Sequence, residues 1–316
     1  MWQTSFIREK PGDNVLRAGF RRNDVELNAG SVAKLEIDQP LVSIVTPSYN
    51  QGRFLEATIQ SVLAQDYPRL EYIIVDGGSQ DGSQEIIKRY ADRLAWWISE
   101  PDSGQTDAIN KGFSHAKGEI FAWLNSDDTY QPGAVREAVT YLQSHPEVGM
   151  VYGDANLIDD DGLVIGKFPA SQTDYRRLRQ GYVHIPQQAA FFRADLWRQV
   201  GPLDPTFYFA MDYDLWVRLA RLAPINYNPR SWANFRLHGD AKSVAADDRC
   251  WPEMLRVHYR EGGNRISWIT FKAAIRPLIY AWLPVRTRMW LRRILIGMII
   301  IALTKFIQPF WAVRGW

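Results

Sequence analysis

The stretch Glu119-Ile120-Phe121-Ala122-Trp123-Leu124-Asn125-Ser126-Asp127-Asp128 decides the fold that this sequence predicts. Its first part is an almost continuous apolar run, which is typical of a buried strand. Two adjacent carboxylates follow the run and repel each other. That repulsion is tolerable where a divalent cation binds a diphosphate, because Mg²⁺ and Mn²⁺ prefer oxygen ligands. From these residues alone, the alternative is an Asx turn that ends the strand.

Strand and helix patterns alternate on the amino-terminal side of this stretch. The predicted strands are Leu41–Thr46, Tyr72–Val75, Trp96–Ile98 and Glu119–Leu124. The predicted helices are Gly52–Gln65, a segment containing Ile86, Ile87 and Tyr90, and Gln105–Ala116. Successive βαβ units of this kind predict an α/β fold with a mostly parallel sheet flanked by helices. Ligands of such sheets bind at the carboxyl ends of the strands.

Two polar loops are predicted at that edge of the sheet. Residues 46–52 follow the first strand, and Asp76 ends the second, where a carboxylate can accept a hydrogen bond from a ribose or a base. We expect these loops to bind a nucleoside, although each can also be read as an ordinary turn. The first loop has Gly52 as its one glycine, so a glycine-rich dinucleotide site is not supported.

Composition predicts one large domain with an appendage. The chain has 316 residues and a hydrophobic content of 46%, enough for a full core. Cys250 is the single cysteine, which excludes an internal disulfide and an all-cysteine metal site. The first ten residues contain no apolar run of signal-peptide length, which predicts that the body of the protein stays where it is made. Predicted boundaries are 1–40 for an extension of unknown role, 41–261 for the domain and 262–316 for a tail.

Charge and aromatic residues are concentrated in the tail. The net charge of the whole chain is +2, yet no acid follows Glu261 and nine basic residues lie beyond it. Five tryptophans are interleaved with these cations, a combination that the headgroup layer of an anionic membrane favours. Nucleic acid is the competing partner, but the apolar run 294–303 is not a feature that phosphate binding requires. We therefore predict a membrane partner and no nucleic acid.

The apolar run is too short to cross a bilayer. A helix over 294–304 would be about 16 Å long, roughly half of a hydrocarbon core near 30 Å. Extending it to Val313 would place Lys305 in the apolar layer. The tail is therefore predicted to lie in the membrane plane as a peripheral or monotopic anchor. A helical cap on the domain, or an oligomer contact, is the alternative.

Four blocks in the domain resemble the family 2 glycosyltransferases. They are residues 42–50 (VSIVTPSYN), 74–83 (IVDGGSQDGS), 102–112 (DSGQTDAINKG) and 125–128 (NSDD), and the similarity runs from about Val42 to Ser243. The resemblance implies a GT-A type fold, a nucleotide-diphosphate sugar donor, a divalent cation (Mn²⁺ or Mg²⁺) and inversion at the sugar carbon. It also divides the domain into a donor half, 41–130, and an acceptor half, 131–261.

The resemblance carries site residues onto this sequence. The implied donor contacts are Pro47, Tyr49, Asn50, Asp76, Ser79, Gln105, Asp107, Lys111, Asn125, Asp127 and Lys242. Many family members have an aspartate where this chain has Asn125, so the metal is expected at Asp127 or Asp128. His238 resembles a late histidine that some members use as a further metal or phosphate contact. The alternative for His238 is a plain surface residue.

Inversion in one displacement requires a base for the acceptor hydroxyl. Asp212 resembles the family's acid before the last catalytic helix and is the predicted catalytic residue, with Asp214 as its partner acid on the acceptor side. An N-cap role for Asp212 is the alternative, because an apolar helical stripe begins at Leu215. Gln187 and Gln188 are also predicted on the acceptor side by the resemblance.

The predicted function is transfer of one sugar to an acceptor hydroxyl. A processive synthase would carry a Gln-x-x-Arg-Trp motif and several long membrane spans, which this sequence lacks. The similarity is therefore to non-processive enzymes of bacterial cell-surface polysaccharide synthesis, with a lipid-linked or oligosaccharide acceptor at the cytoplasmic face of a membrane. Two alternatives are a nucleotide-sugar-binding protein without turnover and a nucleotidyltransferase.

Overall fold

The computed structural model describes residues 39–239 and 250–281, and the compact unit that carries the fold begins at Pro40. For residues 268 and 276–281 only the backbone is described. Three predictions fall outside these residues: the amino-terminal extension, the donor contact of Lys242, and the apolar run of the tail. They stay predictions.

Nine strands and nine α-helices form this part of the chain. The strands are β1 (Val42–Ser48), β2 (Leu70–Asp76), β3 (Trp96–Ser99), β4 (Ile120–Trp123), β5 (Thr129–Tyr130), β6 (Met150–Ile158), β7 (Val164–Lys167), β8 (Ala190–Arg193) and β9 (Ile225–Arg236). The helices are α1 (Gly52–Leu63), α2 (Ser83–Arg89), α3 (Gln105–His115), α4 (Ala134–Ser144), α5 (Tyr175–Leu178), α6 (Ala194–Val200), α7 (Met211–Leu222), α8 (Cys250–Arg260) and α9 (Trp268–Ala281). Up to β4, every predicted strand and helix is present, and the predicted ends differ from the observed ones by at most two residues.

The sheet is covered by helices on both faces. Successive residues of a strand point to opposite faces, so Ile44 and Val45 of β1 enter two different cores. Ile44 packs with residues of α1, α2 and α4, whereas Val45 packs with residues of α3, α6, α7 and α8. Burial on both faces explains why these strands are continuous apolar runs.

The sheet is mixed, which corrects the prediction of a mostly parallel sheet. Its strand order is β3-β2-β1-β4-β8-β6-β9-β5, with β7 paired to β6. The pairs β1–β2, β1–β4, β2–β3 and β6–β9 are parallel. The pairs β4–β8, β5–β9, β6–β7 and β6–β8 are antiparallel. Strand β8 is antiparallel to both of its neighbours, β4 and β6, so β6 and β9 run in the same direction as β1.

This arrangement brings distant carboxyl ends to one edge of the sheet. Strands β1, β2, β4 and β9 all run in the same direction, and each is followed by polar residues. The segments that follow them begin at Tyr49, Gly77, Leu124 and Leu237. The predicted donor residues therefore share the edge at which ligands of α/β sheets bind.

The described part of the tail begins with α9. None of the helices in residues 39–239 and 250–281 is both long and apolar enough to cross a bilayer. Ile266, just before α9, is 95% exposed, and Phe271 within it is 53% exposed.

Gly112 tests the packing of α3 on β1. A Cβ atom at this position would overlap Cγ1 of Val45, whose side chain is fully buried. We expect Gly112→Ala to lower the free energy of unfolding by about 1–3 kcal/mol, because overpacking outweighs the better helix propensity of alanine. Urea denaturation followed by circular dichroism measures the change.

Gly239→Ala is the control, because a Cβ atom there meets no atom of the described residues within 4 Å. Its free energy of unfolding should stay within about 0.5 kcal/mol of the wild type. Equal stability of the two variants would contradict the close packing of α3 on β1.

Candidate active site

The adjacent acids Asp127 and Asp128 point in different directions. Asp128 is 1% exposed, and its Oδ1 accepts a hydrogen bond of 2.9 Å from the backbone N–H of Arg236. The hydroxyl of Thr58 in α1 donates to the carbonyl of Asp128 at 2.7 Å. Asp128 is therefore held inside the protein, between the ends of β4 and β9.

Burial changes the protonation of Asp128. Removal from water raises the pKa of Asp128 well above its ordinary value, and the neighbouring charge of Asp127 raises it further. Hydrogen bonds from Arg236 and Asn125 oppose this rise without cancelling it. A carboxyl with a raised pKa that is turned to the interior and bonded to the Arg236 backbone is a poor cation ligand, so the geometry favours Asp127 over Asp128 at the metal.

Asp127 faces the late histidine. Its Oδ2 lies 3.0 Å from Nε2 of His238, and the Asp127 side chain is 18% exposed. The imidazole is nearly buried and lies against Phe54, with ring centroids 4.8 Å apart. His238 is therefore not a plain surface residue, and the structure brings together two of the three predicted metal ligands.

The pair Asp127 and His238 fits a divalent cation that a diphosphate helps to bind. Within residues 39–239 and 250–281, no group of three or more histidine, cysteine, aspartate or glutamate side chains could hold a metal ion. Mg²⁺ is usually bound by one or two carboxylates together with substrate phosphates, and carboxylate oxygens also suit Mn²⁺. Asp127 supplies one such carboxylate, and the His238 imidazole beside it is a further nitrogen donor.

Asn125 joins several amide groups beside the acids. Its Oδ1 accepts from Nε2 of Gln105 at 2.7 Å, and its Nδ2 donates to Oε1 of Gln187 at 3.1 Å. A longer contact of 3.4 Å connects the same Nδ2 with Oδ2 of Asp128. Gln187 in turn donates to the carbonyl of Trp123 at 2.7 Å. Gln187 was predicted on the acceptor side, but its amide is part of the network that orients Asn125.

Asp76 is an internal hydrogen-bond acceptor. Its carboxylate is fully buried and accepts from the backbone N–H and the hydroxyl of Ser79, at 2.9 and 2.6 Å. The hydroxyl of Ser99 donates to it at 2.7 Å. The structure thus gives Asp76 and Ser79 a role in shaping the loop after β2. Their predicted contact with a base or ribose stays a prediction.

The loop after β1 carries an exposed aromatic side chain at the edge of the sheet where β1 ends. Tyr49 is 64% exposed, whereas Pro47 is buried in β1 opposite Val75. Asn50 has a positive φ of 50°, which asparagine tolerates better than most residues. Its backbone N–H donates to the Ser79 hydroxyl at 2.7 Å. The first two loops of the site are therefore bound to each other, with the Tyr49 ring free to stack on a ligand.

Helix α3 contributes charged groups near its start. Oδ2 of Asp107 accepts from the backbone N–H of Ser103 at 3.1 Å. Lys111 forms an ion pair of 2.6 Å with Glu100, and that hydrogen bond is the main reason for the raised pKa of Lys111. A donor phosphate would have to compete with Glu100 for Lys111.

Asp212 lies in the first turn of α7 and is partly exposed. The N-cap residue is Ala210, so the N-cap alternative for Asp212 is wrong. Oδ1 of Asp212 accepts from the neighbouring N–H of Tyr213 at 2.7 Å. The hydroxyl of Thr106 lies 3.3 Å from the carbonyl of Phe207 and 2.9 Å from the sulfur of Met211. These contacts place the start of α7 beside the start of α3, at the edge of the sheet where Asn125 lies.

Two predicted acceptor-side residues are buried. Gln188 is 4% exposed, and its Nε2 has no acceptor among the described residues. Asp214 is completely buried and forms ion pairs of 2.9 Å with Arg218 and 2.5 Å with Arg260. Asp214 therefore connects α7 with α8, and its burial argues against contact with an acceptor.

Sequence reasoning missed Arg236. Besides its bond to Asp128, its Nε donates to the carbonyl of Asp127 at 2.9 Å. Its Nη1 donates to the carbonyls of Asp159 and Asp160, at 2.8 and 3.1 Å. The only signal was a cation two residues before His238, and its partners lie far away in the sequence.

With this geometry described, comparison with known proteins identifies the family. The chain belongs to glycosyl transferase family 2, whose model matches residues 43–211. The match ends one residue before Asp212, so it does not itself support the role of Asp212. Family membership confirms the resemblance on which the site was predicted.

Curated relatives carry general descriptions. An uncharacterized glycosyltransferase of Mycobacterium tuberculosis (strain H37Rv) is 33% identical over 237 residues, covering 72% of this chain and 88% of the relative. An uncharacterized glycosyltransferase of Rickettsia felis is 30% identical over 220 residues, covering 66% of this chain. The chain spans 36% of the length of that Rickettsia protein.

Solved structures share the fold. Staphylococcus aureus TarS 1–349 in complex with UDP-GlcNAc has a TM-score of 0.58 at 16% identity, covering 70% of this chain and 66% of that one. The mannosyltransferase PcManGT from Pyrobaculum calidifontis, in complex with GDP-Man and Mn²⁺, has a TM-score of 0.56 at 18% identity. That similarity covers 83% of this chain and 85% of PcManGT. At these identities the likeness shows a GT-A type fold.

Asp128→Asn tests the protonation of the buried acid. Because folding raises the pKa of Asp128, wild-type stability falls as pH rises from about 4, near the unfolded pKa, towards the folded value. The variant lacks this titration, so its free energy of unfolding relative to the wild type should increase between pH 5 and pH 8. Urea denaturation at both pH values measures the difference.

Altered hydrogen bonds in Asp128→Asn would shift stability equally at both pH values and leave the trend intact. A relative stability that does not change between pH 5 and pH 8 would show that Asp128 is already a carboxylate over this range in the folded protein.

Proposed function

We propose that this protein is an inverting glycosyltransferase that moves one sugar from a nucleotide-diphosphate sugar to an acceptor hydroxyl. The observation that carries the proposal is the placement of the Asp127–His238 pair and Asp212 at one edge of the sheet. The two features lie at the ends of different elements and are connected through Asn125, Gln105 and Thr106. Family membership supports the reaction class.

Asp127 and His238 would hold a divalent cation. When bound, the cation offsets the negative charge that a departing nucleoside diphosphate gains. The Mn²⁺ in the PcManGT complex supports this choice of cofactor, and its GDP-Man and the UDP-GlcNAc of TarS support a nucleotide sugar as donor. The residues of this chain bind and orient the donor, with Tyr49 available for stacking on the base.

Asp212 would act as the general base. A partly exposed carboxylate at the start of a helix can accept a proton from an acceptor hydroxyl as that oxygen attacks the sugar carbon. The new bond forms on the face opposite the departing diphosphate, which inverts the configuration. Asp214 cannot replace it, because two arginines already bind its buried carboxylate.

The acceptor is proposed to be lipid-linked and bound at the cytoplasmic face of a membrane. Tyr259, Ile266 and Phe271 are 46%, 95% and 53% exposed, and the basic residues Arg265 and Lys272 lie among them. Apolar and basic side chains on one segment favour an anionic membrane surface. An enzyme held there would meet acceptors that concentrate in the bilayer.

The activity is tested on the full-length protein by donor hydrolysis, in which water replaces the acceptor. UDP-glucose, UDP-GlcNAc and GDP-mannose are incubated with and without Mn²⁺, and released nucleoside diphosphate is measured. We expect Mn²⁺-dependent release from at least one donor. Asp212→Asn should lower kcat by about 10²–10⁴-fold, the usual contribution of a general base, while UDP or GDP still binds.

Asp195→Asn is the matched control, because Asp195 is exposed and follows β8 at the opposite edge of the sheet. It should keep wild-type kcat. Release of pyrophosphate would instead indicate a nucleotidyltransferase. Donor binding without turnover in the wild type would indicate a binding protein, and either result contradicts the proposal.

Membrane binding is tested with vesicles. The full-length protein should float with phosphatidylcholine vesicles that contain phosphatidylglycerol, and much less with phosphatidylcholine alone. Replacing Arg292 and Arg293 by glutamate should weaken binding at least tenfold, since each basic residue near an anionic surface contributes about 1 kcal/mol. Raised salt should have the same effect.

Glutamate replacements of the exposed Lys88 and Arg93 are the control and should leave flotation unchanged. Equal flotation with neutral and anionic vesicles, or none with either, would contradict an electrostatic membrane anchor. Self-association without vesicle binding would indicate the oligomer contact instead.

A further inference from the structure

Helix α8 presents three charged side chains to the segment that carries Asp212. Glu253, Arg256 and Arg260 are spaced at i, i+3 and i+7, which places them on one face of the helix. All three contact residues between Thr206 and Asp214. This helix lies beyond the residues that the family model matches.

Glu253 accepts three backbone hydrogen bonds from the loop before α7. The N–H of Tyr208 donates to Oε1 at 3.0 Å, and the N–H groups of Phe209 and Ala210 donate to Oε2 at 2.7 and 2.8 Å. Ala210, the N-cap of α7, has no side chain that could cap the helix. A carboxylate from another helix therefore supplies the negative charge that the start of α7 favours.

The two arginines hold the same segment on either side. Nη2 of Arg256 donates to the Thr206 hydroxyl at 2.8 Å, and its guanidinium lies 3.6 Å from the ring centroid of Phe207. Arg260 pairs with the buried Asp214 at 2.5 Å. Helix α8 therefore contacts residues on both sides of Asp212 in the sequence.

We infer that Glu253 is a positioning residue for Asp212. The three N–H groups that it binds belong to the residues immediately before the first turn of α7, and Asp212 is the second residue of that turn. Because these hydrogen bonds hold the loop before α7 in place, they also fix the position of the first turn of α7 and of the Asp212 carboxylate on it. The inference rests on the proposed role of Asp212 as base.

A positioning role predicts a specific kinetic signature. Donor and cation bind at Asp127 and His238, on other elements, so loss of Glu253 should leave donor binding unchanged. Misplacement of a catalytic group by about 1 Å can reduce rate about 10²-fold. Glu253→Ala should therefore lower kcat by about 10–100-fold and keep the donor KM within about twofold. Glu253→Gln retains one acceptor oxygen and should restore part of the loss.

The experiment is a double-mutant cycle on the full-length protein. Hydrolysis of the donor that the wild type cleaves fastest, among UDP-GlcNAc and GDP-mannose with Mn²⁺, is measured for Glu253→Ala, Asp212→Asn and the double variant. If Glu253 acts through Asp212, Glu253→Ala causes no further loss in the Asp212→Asn background. An equal loss in both backgrounds, or a loss confined to KM, overturns the inference.

Glu147→Gln is the charge-matched control, because Glu147 is exposed and precedes β6 at the opposite edge of the sheet. Amide hydrogen exchange gives a second readout. Glu253→Ala should speed exchange at Tyr208, Phe209 and Ala210 alone, and faster exchange throughout the protein overturns the inference. If Glu253→Ala does not fold, Glu253→Gln decides the case by the same criteria.

The outcomes separate this inference from the proposed function. Wild-type rates for Asp212→Asn, or no hydrolysis by the wild type, would refute the proposed function. Impaired Asp212→Asn together with fully active Glu253→Ala would refute only the role of Glu253.

Discussion

The hydrogen bonds of Arg236 decide how the acidic pair is used. The backbone N–H of Arg236 holds Asp128 inside the protein, and its guanidinium holds the carbonyl of Asp127. With the main chain held on both sides, the Asp127 carboxylate is left to face His238. The guanidinium also lies over the Phe54 ring, 4.7 Å from its centroid, against which His238 packs as well. One arginine therefore separates a structural acid, Asp128, from the acid that faces His238 and is proposed to bind the cation.

The amide at Asn125 complements this arrangement. An amide both donates and accepts, so Asn125 can bind Gln105 and Gln187 at the same time. An aspartate here would lose the donor to Gln187 and would place a second charge 3.4 Å from Oδ2 of Asp128. Burial of Asp128 would then be less favourable. The departure from the family pattern is physically consistent with the buried neighbour.

Local patterns predicted the first half of the fold, because β1, β2 and β4 are buried on both faces and the helices between the strands carry apolar residues at helical spacing. Local patterns did not predict β5, because a strand of two residues is too short to show an apolar periodicity. Its direction is set by its antiparallel pairing with β9. The same limit applied to the site residues: those in local motifs could be predicted, and those defined by distant contacts could not. Asp127 and Asp212 were predicted because they resemble family motifs, whereas Arg236 meets Asp128 across 108 residues and Glu253 meets Tyr208 across 45. Such pairings have no local signature.

The start of α3 connects the two halves of the site. Gln105 reaches back to Asn125 at the donor side, and Thr106, the next residue, reaches the start of α7. Side chains of adjacent helical residues point about 100° apart, so one turn can contact two different elements. Because Gly112 lets α3 lie directly on β1, that turn is held at a set distance from the sheet. The separation between the Asp127–His238 pair and Asp212 therefore depends on how this helix packs on the sheet.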